Sequence, residues 1–273
     1  MIDVIHGDCI EQLNKIGAKP DFIFADPPFN IGHDYDGFDD NTSDSKYQSW
    51  TTDWIINCWE SLADGGAMVI HGSVKLRPVF WKSIIELGLD GNFENEIIWH
   101  YRFGQCRRSD FIDNHCPEIV LRKEGERKWY PENVLVESDR SSKYKDKRTG
   151  NYERGGSRTA GTVWGVPSDG KFWGRVQGTS KERWKHHPNQ LPLNLVGRHI
   201  SAYTKVGDLV LDPFCGSGTT ALACFALDRS CLTFDISESN AESAKARVLE
   251  QAELARVRLD NGRLSVEQRD PAS

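Results

Sequence analysis

The sequence predicts an α/β fold: a doubly wound, mixed but mostly parallel sheet that carries an irregular inserted lobe. Three observations predict it. Short apolar runs alternate with helix-spaced segments in the first hundred residues, and the same alternation returns after residue 188. Between these stretches, over 101–187, the alternation lapses into a Gly-, Ser-, Arg- and Lys-rich segment. The length, 273 residues, suits one large domain or one domain with an insertion.

The elements follow in order. Residues 21–25 are an apolar run cut off by Asp26, Pro27 and Pro28, which reads as a buried strand stopped by prolines. Apolar residues at 50, 54, 55, 58, 59 and 62 have helical spacing. Gly65 and Gly66 end that helix, and 67–70 is the next buried strand. A helix is expected over 79–87 and a strand over 96–99. In the last third, 191–203 suits a helix and 209–211 a strand. A glycine-bearing loop at 212–218 precedes a helix over 219–227, a strand over 231–234 and a helix over 238–254. The tail beyond is polar and expected to fray.

Composition narrows the class. Hydrophobic residues are 38% and charged residues 27%, as in water-soluble globular chains. Mean hydropathy is -0.55, and no apolar run reaches the roughly 18 residues that span a bilayer. The N-terminus lacks the pattern of a secretory signal. Seven cysteines are scattered without a C-x-x-C pair, so a reducing cytoplasm is the expected compartment. Net charge is -6, but 101–187 holds 19 Lys+Arg against 12 Asp+Glu. A basic segment on an acidic body suits a polyanion partner, as it also suits a solvated loop region.

Two segments carry chemistry. In open α/β sheets ligands sit beyond the carboxyl ends of strands. Here a strand ends in Asp212 and runs through Phe214, Cys215, Gly216, Ser217 and Gly218 into a helix opened by Thr219 and Thr220. Glycines let the backbone approach a ligand, and the helix start offers free N–H groups. Asp235 ends the next strand at the separation from which a carboxylate reaches ribose hydroxyls. Thr219 stands where a P-loop needs Lys, and Ala221 where the dinucleotide fingerprint needs Gly. A ligand with ribose and no phosphate, such as S-adenosylmethionine, fits better.

The second segment is Asp26, Pro27, Pro28 and Phe29. It reads as a strand-breaking turn or as a site. An exocyclic amine on a base is a poor nucleophile because its lone pair is delocalised into the ring. A carboxylate and a backbone carbonyl, each accepting one N–H, pull that nitrogen toward tetrahedral geometry. Asp26 supplies the first, and Pro27, with its φ fixed, the second. Phe29 stacks on the base, which must be flipped out of a duplex to arrive.

With both segments placed, the chain resembles the β-class amino-methyltransferases of DNA. The order is that of the class: tetrapeptide first, glycine loop last, recognition region between. His6, Gly7, Asp8 and Cys9 resemble the family's N-terminal G-D segment near the cofactor. His187, Pro188, Asn189, Gln190, Leu191 and Pro192 resemble its H-P-T-Q-K-P element, and 178–183 is also similar. Asn189 and Leu191 depart from that element, and Phe29 replaces the commoner Tyr. The resemblance implies a Rossmann-like methyltransferase fold with S-adenosylmethionine as cofactor. The cofactor residues would be Asp8, Cys9, Pro188, Asn189, Gln190, the 212–220 loop residues named above and Asp235. It also implies transfer to adenine N6 in double-stranded DNA, since a leading Asp typifies adenine members and Ser the cytosine-N4 members. The expected organisation is a catalytic half at 1–100, a target-recognition region at 101–187, a cofactor half at 188–258 and a polar tail at 259–273. A homodimer and a cognate restriction endonuclease accompany many such enzymes.

Rival readings are a cytosine-N4 enzyme, an RNA or small-amine methyltransferase, a dinucleotide-dependent oxidoreductase and a non-catalytic DNA-binding subunit. No metal is expected: His186 and His187 have no partners at ligand spacing, and Asp34, Asp36, Asp39, Asp40 and Asp44 lack calcium-loop spacing. Those acids read instead as a mobile loop over the site. Cys215 reads as a packing residue, and Trp164, Trp173 and Trp184 as lobe core more than base-stacking platforms.

Overall fold

The computed structural model describes residues 1–102, 109–148, 156–165, 173–178, 180–184, 187 and 189–267. In chain order its elements are β1 (Ile2–His6), α1 (Cys9–Leu13), β2 (Phe22–Ala25), β3 (Asp34–Tyr35), β4 (Phe38–Asp39), α2 (Asp44–Ser61), β5 (Ala67–His71) and α3 (Arg77–Glu86). Next come β6 (Phe93–His100), β7 (His115–Arg122), β8 (Leu135–Glu137), α4 (Asp139–Ser142), β9 (Ser157–Thr159) and β10 (Val163–Trp164). The chain closes with α5 (Leu193–Tyr203), β11 (Leu209–Asp212), α6 (Thr219–Ala226), β12 (Ser230–Asp235) and α7 (Glu238–Glu267).

Eight strands form one sheet in the order β1-β12-β11-β2-β5-β7-β6-β10. From β1 to β5 all neighbours are parallel; β7 runs antiparallel to both β5 and β6, and β10 is parallel to β6. The sheet is therefore mixed and mostly parallel, as the sequence predicts.

Strand periodicity explains the two layers. On β2, Phe22 and Phe24 point into one core with Leu195, Val196 and Ile200 of α5 and Ala221 and Leu222 of α6. Ile23 and Ala25 point into the other, with Trp54 and Ile55 of α2 and Phe80 of α3. All four β2 residues are buried, which is why the run is continuously apolar. Burying a side chain such as Phe24 contributes on the order of 1.5–3 kcal/mol.

Three expectations need correction. The stretch 101–187 does not leave the sheet: β7 and β10 lie in it. Cys116, Pro117 and Glu118 hid β7 by breaking its apolar run. Helix α2 starts six residues before the expected 50, at Asp44 behind the extended Ser43. Helix α7 runs on to Glu267, past 254, because no Gly or Pro stands between 238 and 261. Trp164, Trp173 and Trp184 are buried, and Arg198 packs over the first two rings, so these indoles are core.

Candidate active site

The strands β1, β12, β11, β2 and β5 all end at one edge of the sheet, and their ends carry the polar residues. Because β11 pairs directly with β2, with Leu211 opposite Ile23, the Asp26 turn and the Asp212 loop leave the sheet side by side. Between them opens a cavity of about 370 Å³, a size typical of small-ligand sites. Every expected site residue lines it except Gly218, which packs elsewhere, and Pro188, which lies outside the described residues.

The tetrapeptide is held from behind. Tyr47 of α2 donates to the Pro28 carbonyl at 2.6 Å. Asn30 follows in a left-handed conformation, φ 52°, which Asn tolerates better than other side chains. The buried Asp40 carboxylate accepts from the backbone N–H groups of Asn30, Ile31 and His33. The Asn30 side chain in turn bonds both backbone groups of Thr42. Asp40 is thus a clamp rather than part of a mobile acidic loop; one carboxylate accepting three N–H bonds fixes the turn. Phe29 faces the cavity with its ring 6.4 Å from His71.

The glycine loop is built the same way. Gly216 and Gly218 have φ of 50° and 75°. A Cβ on Gly216 would come within 3.1 Å of His187 Nε2, and one on Gly218 within 2.8 Å of the Ala244 Cβ of α7. Gly216 thus lets the His187 ring pack on the loop, and Gly218 lets a helix approach. The Asp235 carboxylate accepts from Gly216 and Ser237 N–H groups and from Asn240. Cys215 donates its N–H to Phe234, and burial pushes its thiol well up, so it packs and does not react. Phe214 stands edge-on to Trp54 at 5.3 Å. Ser217 and Thr219 are gripped by Arg247 of α7, which donates to the Ser217 carbonyl and both hydroxyls. Thr220 hydrogen-bonds the Asp212 carboxyl.

On the third wall, the Gln190 amide is engaged by Trp184 N–H and the Glu182 carbonyl, so it braces its own loop. Asn189 is exposed. His187 is packed on the glycine loop, where burial and then Arg247 lower its pKa to about 4; its Nδ1 is buried with no hydrogen-bond partner. Asp8 caps α1 through Glu11 N–H at 3.0 Å, and Cys9 is buried beneath it. Among the described residues no cluster of His, Cys, Asp or Glu is arranged to hold a metal.

The electrostatics are acidic. Asp8, Asp26, Asp36, Asp212 and Asp235 line the cavity against a single guanidinium, Arg175. Burial raises the Asp26 carboxyl to about 6, with His71 acting against the rise and Glu118 with it. Burial raises Asp212 to about 8, and Asp235 is also raised, chiefly by burial. Near pH 7 Asp212 is therefore held neutral, and the remaining acids favour a cation over a phosphate.

Sequence reasoning missed His71, Glu118, His199 and Arg247. All four are buried, and the first three form one hydrogen-bonded chain behind Asp26. For His71 a local signal was present, an imidazole ending an otherwise apolar strand; the burial of the others depends on partners distant in sequence.

The DNA methylase family model for N6 and N4 enzymes matches residues 20–246. This chain belongs to that family. It is 32% identical to the type II methyltransferase M.HpaI of Haemophilus parainfluenzae over 249 residues, 90% of this chain and 73% of that protein. It is 30% identical to the DNA adenine methyltransferase YhdJ of Escherichia coli (strain K12), over 85% of this chain and 78% of that one. Among solved structures, the cytosine-N4-specific PvuII DNA methyltransferase superposes with a TM-score of 0.65 at 16% identity, covering 100% of this chain and 95% of that one. The M1.HpyAVI complex with S-adenosylmethionine gives 0.60 at 23%, over 91% and 99% of the two chains. The fold is thus the Rossmann-like methyltransferase fold, and the chain is a DNA methyltransferase.

Proposed function

We propose that this methyltransferase moves a methyl group from S-adenosylmethionine to adenine N6 in double-stranded DNA, acting on a flipped base. The observation that carries the reading is the pairing of β11 with β2, which sets Asp26 beside the glycine loop in one cavity. The donor set suits the cofactor: a positive sulfonium fits a wall that carries Asp8, Asp26, Asp36 and Asp235, and the Nδ1 of His187, unpartnered among the described residues, is an available hydrogen-bonding atom. Asp235, Asp8, Phe214 and the 215–220 loop would hold it. When bound, it supplies an electrophilic methyl carbon.

The chain's own residues do the rest. Asp26 and the Pro27 carbonyl accept the two amine hydrogens and free the nitrogen lone pair. Phe29 covers one face of the base, and Trp99 and Tyr101 supply further aromatic wall. The locked Asp40–Asn30 turn keeps the acceptors aimed, so little reorganisation is needed at reaction. After transfer the nitrogen carries a surplus proton, which Asp26, with its pKa near 6, is suited to take.

Duplex binding has its own support. β6 and β10 point toward the same edge as β2, and among the described residues of the segments that follow them Arg102, Arg175, Lys181 and Arg183 are exposed, with Arg175 lining the cavity. These segments form the target-recognition region of 101–187, between the catalytic half at 1–100 and the cofactor half at 188–258. Adenine is preferred over cytosine because Asp leads the tetrapeptide and because a relative 30% identical is an adenine methyltransferase.

Among the described residues no helix is long and apolar enough to cross a membrane, and the six described cysteines are free and buried. Both accord with work on DNA in the cytoplasm. Self-association and a cognate restriction endonuclease belong to the same reading. Sedimentation tests the first, and protection of host DNA from that nuclease tests the second.

Incubation with labelled S-adenosylmethionine and duplex DNA, RNA or neither is the deciding experiment, followed by nucleoside analysis. N6-methyladenine from duplex DNA is expected. Label at cytosine N4 would replace the base assignment, and label confined to RNA would overturn the reading.

A further inference from the structure

Behind Asp26 lies a polar chain that nothing in the amine-binding geometry requires. β2 and β5 are parallel with Ala25 opposite Ile70, so Asp26 and His71, the next residues, stand side by side at the sheet edge. The His71 side chain is 1% exposed and lines the cavity. Its Nδ1 lies 2.8 Å from Glu118 Oε1, from the directly opposed position on β7. Glu118 Oε2 lies 2.8 Å from His199 Nε2 of α5. Glu118 and His199 are both fully buried, and among the described residues Nδ1 of His199 has no hydrogen-bond partner, so the chain ends there.

A carboxylate with no exposure and two imidazole neighbours is stable as an anion only if an imidazole carries a proton. Burial favours neutral Glu118, yet the charge and hydrogen bonds of His199, with those of His71, bring it down to about 2. Burial likewise opposes charge on His71, but Asp26, Cys116 and Glu118 together hold its pKa well above the usual value. The groups facing His71 and Asp26 are Asp212 from β11, Glu118 and Cys116 from β7, Tyr101 beyond β6 and His199 from α5. Burial and Glu118 work against ionising Asp26, and His71 is the group that favours it.

We propose that His71, kept protonated and oriented by Glu118, is a positioning residue whose charge keeps Asp26 ionised and ready to accept the target amine. This rests on the reading of Asp26 as the amine's acceptor. It assigns a role to residues outside both motifs: the His71–Glu118–His199 chain supplies a fixed positive charge beside Asp26, whereas the Arg175 guanidinium lies over the Tyr101 ring.

The test is the pH profile of single-turnover methyl transfer for wild type, His71→Gln and Glu118→Gln, together with histidine side-chain NMR on the cofactor-free protein. Without the imidazolium, the acidic limb of the profile should move up by about one pH unit or more. For a one-unit shift the loss should be about threefold near pH 6.5, approach tenfold below about pH 5.5, and be largely recovered by pH 9. Cofactor affinity should stay within about threefold, since the proposal leaves binding and amine alignment intact. In wild type the His71 ring should keep its proton well above the usual imidazole range, and in Glu118→Gln it should lose its proton nearer the ordinary value. A limb that does not move, a uniform loss at every pH, or a neutral His71 in wild type at pH 7 would overturn the proposal. The NMR measurement on wild type decides even if both variants fail to fold. Asp26→Asn separates the two readings: activity surviving there removes the acceptor role of Asp26, while the charge on His71 is measured independently.

Discussion

Replacing Arg247 by Met tests whether the glycine loop is held by the helix behind it. The arginine is fully buried in α7. Its Nη1 donates to the Ser217 carbonyl at 2.9 Å, to Ser217 Oγ at 3.1 Å and to Thr219 Oγ1 at 2.9 Å, while Nε donates to Gln251. Methionine keeps an unbranched apolar stem and removes every donor. The two hydroxyls retain each other at 3.1 Å, so the main loss is the Ser217 carbonyl, left buried without its charged donor. That loss costs about 1–3 kcal/mol. For a domain of this size the melting temperature should fall by roughly 3–10 °C at about 2–4 °C per kcal/mol. Affinity for S-adenosylmethionine should fall by about tenfold or more, because the 216–218 backbone must be ordered on binding, at about 1–2 kcal/mol per residue fixed. Thermal denaturation and titration calorimetry read the two effects. A melting point within a degree of wild type, with unchanged affinity, would refute the inference that α7 organises the loop.

Four further outcomes are expected. Asp26→Asn should lower methyl transfer by on the order of a thousandfold, as for lost electrostatic stabilisation, with cofactor affinity near wild type; equal loss of both in calorimetry and turnover would make Asp26 structural. Because Asp26 is raised to about 6 and acts ionised, kcat/KM should fall as pH drops through 6, and a limb near the ordinary carboxylate value would contradict the burial argument. Asp212 is raised to about 8 from an unfolded value of roughly 4, so the folded state binds the extra proton between those values and stability falls as pH rises through that window. Asp212→Asn, isosteric with the neutral acid, should flatten that decline in denaturant melts; an unchanged slope would assign it to other groups. Tyr47→Phe removes the donor to the Pro28 carbonyl and should cost about 1–3 kcal/mol of stability, with a drop in kcat exceeding any change in cofactor affinity; a neutral variant would show that the turn needs no brace there.

Much of the site was legible because its chemistry sits where strands end, and strand ends are written in local code. Pro27 and Pro28 stop an apolar run, and Gly216 and Gly218 mark backbone that must turn left-handed. What was hidden is non-local. β7 is interrupted by Pro117 and Glu118, so nothing in its own residues announces a central strand; only pairing with both β5 and β6 makes it one. Arg247 and Glu118 look in sequence like ordinary solvated charges, and their burial depends on partners 30 and 47 or 81 residues away. Asp40 looked like one more acid in an acidic run, and its role appears only when three backbone N–H groups fold onto it.

The same non-local logic explains why two motifs nearly two hundred residues apart act together. The amino-terminal strand β2 takes β11 and β5 as neighbours, not the strands adjacent to it in sequence, β1 and β3. The late strand β11 therefore inserts beside the early one, and the edge at which both end is fixed by their parallel pairing. Since neither turn can move without shifting a fully buried strand, the distance between amine acceptor and cofactor loop is set by the sheet itself. Strength in that pairing is thus a catalytic requirement: a substitution that loosens β2 against β11, far from either loop, should lower transfer before it unfolds the chain.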